Sequence, residues 1–89
     1  MVSTFTGGMS KHETTRNQVL SGTSNANIHF DDLCSFLKRV GFRERTNASH
    51  HKFSRDGIRE IIVLQPGRDG KAKPYQVKQV KRLIQQYQL

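Results

Sequence analysis

The dipeptide Asp56-Gly57 restricts the fold more than any other feature of the sequence, because it is a strong signal for a tight β-hairpin turn. Strand-forming residues precede it, and a run rich in β-branched residues follows it. A second turn signal, at residues 47–49, precedes the first of these runs. The predicted strands span residues 42–46, 50–55 and 58–64. Because three antiparallel strands cannot expose both faces to water, we expect helices to cover one face and leave the other available.

Three helices are predicted around these strands. The first begins at a capping box formed by Ser10 and Glu13 and runs to Leu20. The second has apolar residues at helical spacing from residue 30 onward and ends at Gly41. The third begins at Pro74. The order ααβββα predicts an α+β protein, a small double-stranded-RNA-binding-domain-like αβββα fold with an extra N-terminal helix.

The length of 89 residues corresponds to a single domain with a modest core. We assign this domain to residues 9–89 and expect residues 1–8 to be a disordered leader, with Met9 as the natural start. No apolar run is long enough to span a bilayer and no signal-peptide core follows Met1, so we expect a cytoplasmic protein. Such a small domain has no room for a large enclosed active site, and a substrate should lie across its surface.

The predicted folded part is strongly basic. The net charge is +8, and residues 38–82 hold most of the lysines and arginines. This charge attracts polyanions, which include nucleic acid, an anionic membrane or an acidic protein, although a merely soluble basic surface is an equal alternative. The candidate phosphate contacts are Arg43, Arg45, Arg55, Lys71 and Lys73.

Two adjacent histidines, His50 and His51, open the second predicted strand. Successive strand side chains point to opposite faces, so the pair is poorly placed to bind one metal, and zinc-binding spacings such as CxxC or HExxH are absent. We therefore expect neither a metal nor a cofactor. A histidine that faces RNA can take or give a proton near neutral pH, while the RNA 2′-hydroxyl supplies the nucleophile. The alternative is that both are ordinary strand residues.

The remaining reactive or aromatic side chains divide into core and surface. Cys34 falls on the apolar stripe of the second helix and is predicted to be a buried small hydrophobe. Phe53 and Tyr87 are expected in the core. Tyr75 lies off the apolar stripe of the last helix and is a candidate for stacking on a base. Pro74-Tyr75, where this helix begins, could also place the N–H groups of the first helical turn against a phosphate.

The stretch Ala48-Ser49-His50-His51-Lys52-Phe53 resembles the Gly-Ser-X-His signature of the HicA (YcfA-like) mRNA interferases, toxins of bacterial type II toxin–antitoxin systems. The resemblance covers about residues 9–89. It extends to Val19-Leu20-Ser21-Gly22, Phe30-Asp31-Asp32-Leu33-Cys34, Val40-Gly41-Phe42, Leu64-Gln65-Pro66 and the run from Gly70 through Lys73-Pro74-Tyr75-Gln76-Val77 to Val80.

The resemblance implies a compact αβββα domain in which His51 is the catalytic residue for endonucleolytic cleavage of mRNA, without a metal. It also implies a HicB-type antitoxin that covers the site. His50 fills the variable position of the signature. The expected RNA-binding or supporting residues are Ser49, His50, Lys52, Arg55, Lys71, Lys73 and Tyr75. The second proton-transfer group is left open between water, Lys73 and Tyr75.

Ala48 departs from the family signature, which has glycine at this position. Glycine permits a positive φ or a close backbone approach, so either this turn does not need that freedom or the site is altered. A non-cleaving RNA-binding module of the same fold is therefore an alternative function. A protein whose basic surface serves only an acidic partner is another. The strand alternation also raises a difficulty, since Phe53 shares a face with His51; either the strand bends or a predicted boundary is wrong by one residue.

Overall fold

The computed structural model describes residues 10–21 and 28–89, so the predicted leader and residues 23–27, a polar segment between the first two predicted helices, lie outside the described residues. The helices are α1 (Lys11–Ser21), α2 (Phe30–Arg39) and α3 (Pro74–Tyr87), and the strands are β1 (Arg43–Asn47), β2 (His50–Arg55) and β3 (Ile58–Leu64). The predicted α+β fold and its ααβββα order are confirmed. None of the helices in this part of the chain combines the length and apolarity of a membrane span.

Helix α1 begins at the predicted capping box. The Ser10 hydroxyl accepts the Glu13 N–H at 3.2 Å, and the Glu13 carboxylate accepts the Ser10 N–H at 3.1 Å. Thr15 and Val19 are the buried residues of this helix. With so little apolar surface, α1 depends on the cap and on polar contacts with the rest of the fold, such as the 3.0 Å bond from Arg16 Nε to the Leu89 carbonyl.

Helix α2 supplies much of the core. Its buried residues are Phe30, Leu33, Cys34, Phe36 and Leu37. They recur at helical spacing and therefore form one apolar face. Gly41 ends the turn after the helix with φ of 101°, a conformation that glycine adopts without steric cost.

The sheet has the order β1-β2-β3, and both strand pairs are antiparallel. Phe53, Ile62 and Leu64 are fully buried on one side, which we call the covered face. Lys52, Ile61 and Val63 are exposed on the other side, the open face. The helices therefore cover one face and leave the other available, as predicted.

The shared face of His51 and Phe53 needs neither a bend nor a shifted boundary. The predicted bounds of β2 are those observed, and His51 pairs with Leu64 while Phe53 pairs with Ile62. Both residues lie on the covered face, but His51 is near the start of the strand, where helical cover is incomplete. The irregularity in the β2–β3 register falls between Phe53 and Arg55, beyond both residues.

The start of α3 is joined to the end of β3 by one buried side chain, Gln76. Its amide nitrogen donates to the Gln65 carbonyl at 2.9 Å, and its amide oxygen accepts the Lys73 N–H at 3.2 Å. The intervening loop pairs with the chain before α2, through a 2.8 Å bond from the Ala72 N–H to the Ile28 carbonyl. These bonds bring the loop before α3 to the beginning of α2.

Candidate functional site

His51 lies at the border between core and solvent. Its side chain is 24% exposed, so it is neither a sealed core residue nor a freely solvated one. The ring meets the edge of the Phe30 ring in a T-shaped contact, with centroids 5.0 Å apart and planes at 70°. Phe30 opens helix α2, so the helix fixes one side of the imidazole while the other side is reachable from outside.

Glu44 of β1 is the hydrogen-bond partner of His51. Glu44 pairs with Phe53 in the sheet register and therefore shares the covered face, diagonally across from His51. Its Oε2 lies 2.6 Å from Nδ1 of the imidazole, and its Oε1 lies 3.2 Å from Nζ of Lys38. The hydrogen bond from His51, followed by the contacts with Lys38, holds the pKa of the Glu44 carboxyl below its ordinary value.

This pairing selects one tautomer of His51. Because an ionised carboxylate only accepts hydrogen bonds, Nδ1 of His51 must be the nitrogen that donates to Glu44. In the neutral ring, Nε2 is then the acceptor and can receive a proton. A histidine whose proton-accepting nitrogen is fixed, and whose charged form faces a carboxylate, has the properties of a general base.

Cys34 completes the surroundings of this pair. The thiol is buried, as predicted, and burial raises its pKa to about 12. At neutral pH it is therefore protonated and unsuited to act as a nucleophile. Its Sγ, a Glu44 carboxylate oxygen and a His51 ring nitrogen all lie within 4.8 Å of one another.

Ser49 and His50 are held by the end of β3 rather than by His51. Nε2 of Gln65 donates to the Ser49 hydroxyl at 3.2 Å and lies 3.1 Å from Nε2 of His50. Both residues are exposed. The two adjacent histidines thus point to opposite sides of the sheet, as predicted, and only His51 reaches the carboxylate of Glu44.

The predicted cationic residues separate into different regions. Lys71 forms a β-bridge with His29, so the segment from Lys71 to Lys73 lies beside the start of α2, whose Phe30 contacts the His51 ring. Lys52 is on the open face, where it lines a surface cavity with Arg43 and Arg45.

Arg55 and Tyr75, the other two predicted RNA-binding residues, lie in neither of these regions. Arg55 lies at the far end of β2, roughly 13 Å along the strand from His51. Tyr75 is 59% exposed in the first turn of α3.

The turn before the histidines keeps the backbone shape for which glycine is suited. Ala48 has φ of 56°, in the left-handed region that L-residues other than Asn and Asp rarely occupy. The suggestion that the turn has no need of glycine's freedom is therefore wrong. The alanine retains the conformation at a steric cost, and the residues that follow enter β2 in regular register.

Sequence reasoning missed Glu44 as the partner of His51. The only available signal was its position two residues before Thr46, which pairs with His51 once the register is known. A diagonal neighbour of this kind is within reach of a long side chain. Without the register, Glu44 was one acid within a basic segment.

Comparison with known proteins identifies one relationship. A family model described as the HicA toxin of bacterial toxin–antitoxin systems matches residues 30–88, from the first residue of α2 to just beyond α3. No curated protein and no solved structure matches the chain.

Proposed function

Because the chain belongs to the HicA toxin family, and is therefore a toxin of a toxin–antitoxin system, we propose that it is an mRNA interferase. In this proposal it is an endoribonuclease that cuts mRNA with His51 and without a metal. A HicB-type antitoxin covers the site and inhibits it. The observation that carries the proposal is the 2.6 Å pair of Glu44 and His51 at the border of a basic domain.

The reaction uses the nucleophile that RNA carries. Nε2 of His51 takes the proton of a 2′-hydroxyl, whose oxygen then forms a bond to the adjacent phosphorus. The bond from phosphorus to the 5′-oxygen breaks, which leaves a 2′,3′-cyclic phosphate on one fragment and a 5′-hydroxyl on the other. Glu44 stabilises the imidazolium that forms, and water, Lys73 or Tyr75 supplies the proton to the leaving oxygen.

The lysine and arginine side chains lie in different regions, which supports different roles for them in binding RNA. Lys71 and Lys73 belong to the segment beside the start of α2, whose Phe30 contacts His51, and they hold the phosphates next to the scissile bond. Tyr75, exposed at the start of α3, stacks on a neighbouring base. Lys52, which is on the open face, and Arg55, at the far end of β2, contact flanking RNA, while Ser49 and His50 shape the entrance to the site.

The direct test is cleavage of a defined mRNA by purified protein in excess EDTA, with wild type, His51→Ala and His50→Ala side by side. Wild type and His50→Ala should cut at the same positions. His51→Ala should lose about 10²-fold or more of the rate, the contribution of a general base. Cutting by His51→Ala at the wild-type rate would place the chemistry elsewhere.

The rival function is an RNA-binding module that does not cut. This function is favoured over the ribonuclease if wild type and His51→Ala both bind the RNA and leave it intact. A protein that serves only an acidic partner predicts no RNA affinity even at low salt. The toxin predicts RNA binding, cleavage and competition between the antitoxin and RNA for the same surface.

A further inference from the structure

Three side chains of different chemical type converge beside the candidate active site. Cys34 comes from α2, Glu44 from β1 and His51 from β2. One potential ligand atom from each, the thiol sulfur, a carboxylate oxygen and an imidazole nitrogen, lies within 4.8 Å of the other two. No sequence spacing predicts this group, because its three residues come together only when α2 packs on the sheet.

Thiolate, carboxylate and imidazole are the ligands that zinc takes from proteins. Zinc bonds of about 2.3 Å to sulfur and about 2.0–2.2 Å to nitrogen or oxygen place tetrahedral ligands roughly 3.3–3.7 Å apart. To surround an ion, the three atoms must draw together from within 4.8 Å of one another, and the 2.6 Å pair of Glu44 and His51 must open. Cys34 and Glu44 as anions neutralise its two charges, and the partial exposure of His51 leaves a fourth position for water.

Besides the hydrogen bond between Glu44 and His51, two features oppose binding, and zinc can overcome both. The buried thiol is protonated in the free protein, but a coordinating metal displaces a thiol proton. Lys38 contacts Glu44 at 3.2 Å, but its side chain is 54% exposed and can swing into solvent. These three ligands do not suit magnesium, because magnesium prefers oxygen ligands in octahedral geometry.

We propose that Cys34, Glu44 and His51 bind one zinc ion and that zinc switches off the chemistry of His51. If zinc takes Nδ1, the proton of the ring moves to Nε2, which then cannot accept another. If zinc takes Nε2, the acceptor is blocked directly. The binding site stands on the geometry alone, whereas the inhibition rests on the proposed ribonuclease function.

Binding is measured by titrating the untagged, metal-free protein with Co²⁺ and then displacing it with Zn²⁺. Wild type should bind one ion, with a thiolate-to-cobalt charge-transfer band and the visible absorption of a tetrahedral site. Cys34→Ala should lose the charge-transfer band, and both Cys34→Ala and Glu44→Gln should lower zinc affinity by more than about 10-fold. The matched controls are Asp31→Asn, an exposed carboxylate of the same helix, and His50→Ala.

Inhibition is measured by adding zinc to the RNA cleavage assay, with each variant compared with its own rate in chelator. Saturating zinc should stop wild type and both controls but leave Cys34→Ala uninhibited at the same concentration. Absence of the thiolate band in wild type, or equal zinc affinity in Cys34→Ala, overturns the site. Circular dichroism confirms that Cys34→Ala is folded, and Glu44→Gln gives a second, independent decision.

The two proposals fail in distinguishable ways. If wild type does not cut RNA in chelator, the ribonuclease function is wrong while the cobalt titration still decides the metal site. If wild type binds one ion through its thiolate and still cuts RNA when saturated with zinc, the inhibitory role is overturned.

Discussion

At the scale of single residues, the partner of His51 determines what its ring can do. Glu44 accepts from Nδ1 at 2.6 Å and also pairs with Lys38, so its carboxylate is positioned against the ring in the free protein. Phe30 fixes the ring plane from the other side. A side chain restrained by two neighbours loses little entropy when it engages a substrate, which favours catalysis.

Glu44→Gln should therefore act on the chemical step. We expect the kcat of RNA cleavage to fall by about 10–100-fold, because the amide cannot stabilise the imidazolium, with the KM for RNA nearly unchanged. Glu60→Gln is the matched control, since Glu60 is another sheet carboxylate with a short hydrogen bond, 2.6 Å from Tyr87, away from His51. A rise in KM at constant kcat would assign Glu44 to RNA binding instead.

Glu44 also makes stability depend on pH. Its pKa is lowered in the folded protein, chiefly by the hydrogen bond from His51, so the carboxylate stabilises the fold above its unfolded pKa of about 4.3. This contribution disappears as the pH falls through the lower folded pKa. Denaturant unfolding measured between neutral and acid pH should show a shallower acid decline in Glu44→Gln than in wild type. Equal declines would contradict the assignment.

At the scale of elements, the two turns of the sheet differ in how well their residues suit them. Gly57 occupies its left-handed conformation, φ 89°, without a Cβ, whereas Ala48 adopts φ 56° with one. The second hairpin turn is thus relaxed, and the turn that leads into the histidines is strained. The site is built on the strained turn.

Ala48→Gly should stabilise the protein. Removing the Cβ relieves the roughly 1–2 kcal/mol cost of a left-handed L-residue, offset in part by the greater chain entropy of glycine, so the net gain is about 0.5–1 kcal/mol. Gly57→Ala is the reverse substitution at a left-handed position and should lower the free energy of unfolding by about 0.5–1 kcal/mol after the same entropy offset. Both are read from denaturant midpoints at constant m-value. A loss of stability in Ala48→Gly would show that the alanine methyl makes a contact that outweighs its strain.

The junction between β3 and α3 depends on Gln76, which is fully buried yet polar. Removing its side chain leaves the Gln65 carbonyl and the Lys73 N–H without their partners. We expect Gln76→Ala to lower the free energy of unfolding by about 2–3 kcal/mol, from the cavity and the lost hydrogen bonds together. Gln85→Ala, at an exposed position of the same helix, should change it by less than about 0.5 kcal/mol. A loss in Gln76→Ala as small as that in Gln85→Ala would mean that the buried hydrogen bonds of Gln76 do not stabilise this junction.

At the scale of the whole molecule, features set by residues close together in the sequence could be predicted, whereas contacts between residues far apart in the sequence could not. Asp56-Gly57 and the Ser10–Glu13 box act within a few residues, and the elements they predict occur with nearly the predicted bounds. His51 was found through its local signature. Glu44 and Cys34 reach it only through strand register and helix packing, which no local pattern encodes, so their proximity to His51 could not be predicted from the sequence.

The overall charge of +8 gives a prediction for RNA binding. Each phosphate neutralised on single-stranded RNA contributes about −0.7 to the slope of log K against log salt. His51→Ala serves as the background because it keeps the RNA intact. Replacing Lys71 and Lys73 by glutamine in this background should make the slope less negative by about 1.4 if each lysine contacts one phosphate. Fluorescence anisotropy with a labelled RNA at several salt concentrations measures this.

The control must change the net charge equally at a different place. Lys78 and Lys81 lie farther along α3, beyond its first turn, and their double replacement by glutamine removes the same two charges. If Lys71 and Lys73 are the phosphate contacts, this variant should keep the slope of the His51→Ala background. It should lose only a little RNA affinity, through the weaker long-range field. If the two double variants lose slope and affinity equally, the RNA follows the net charge of the molecule, and the segment from Lys71 to Lys73 has no special role beside His51.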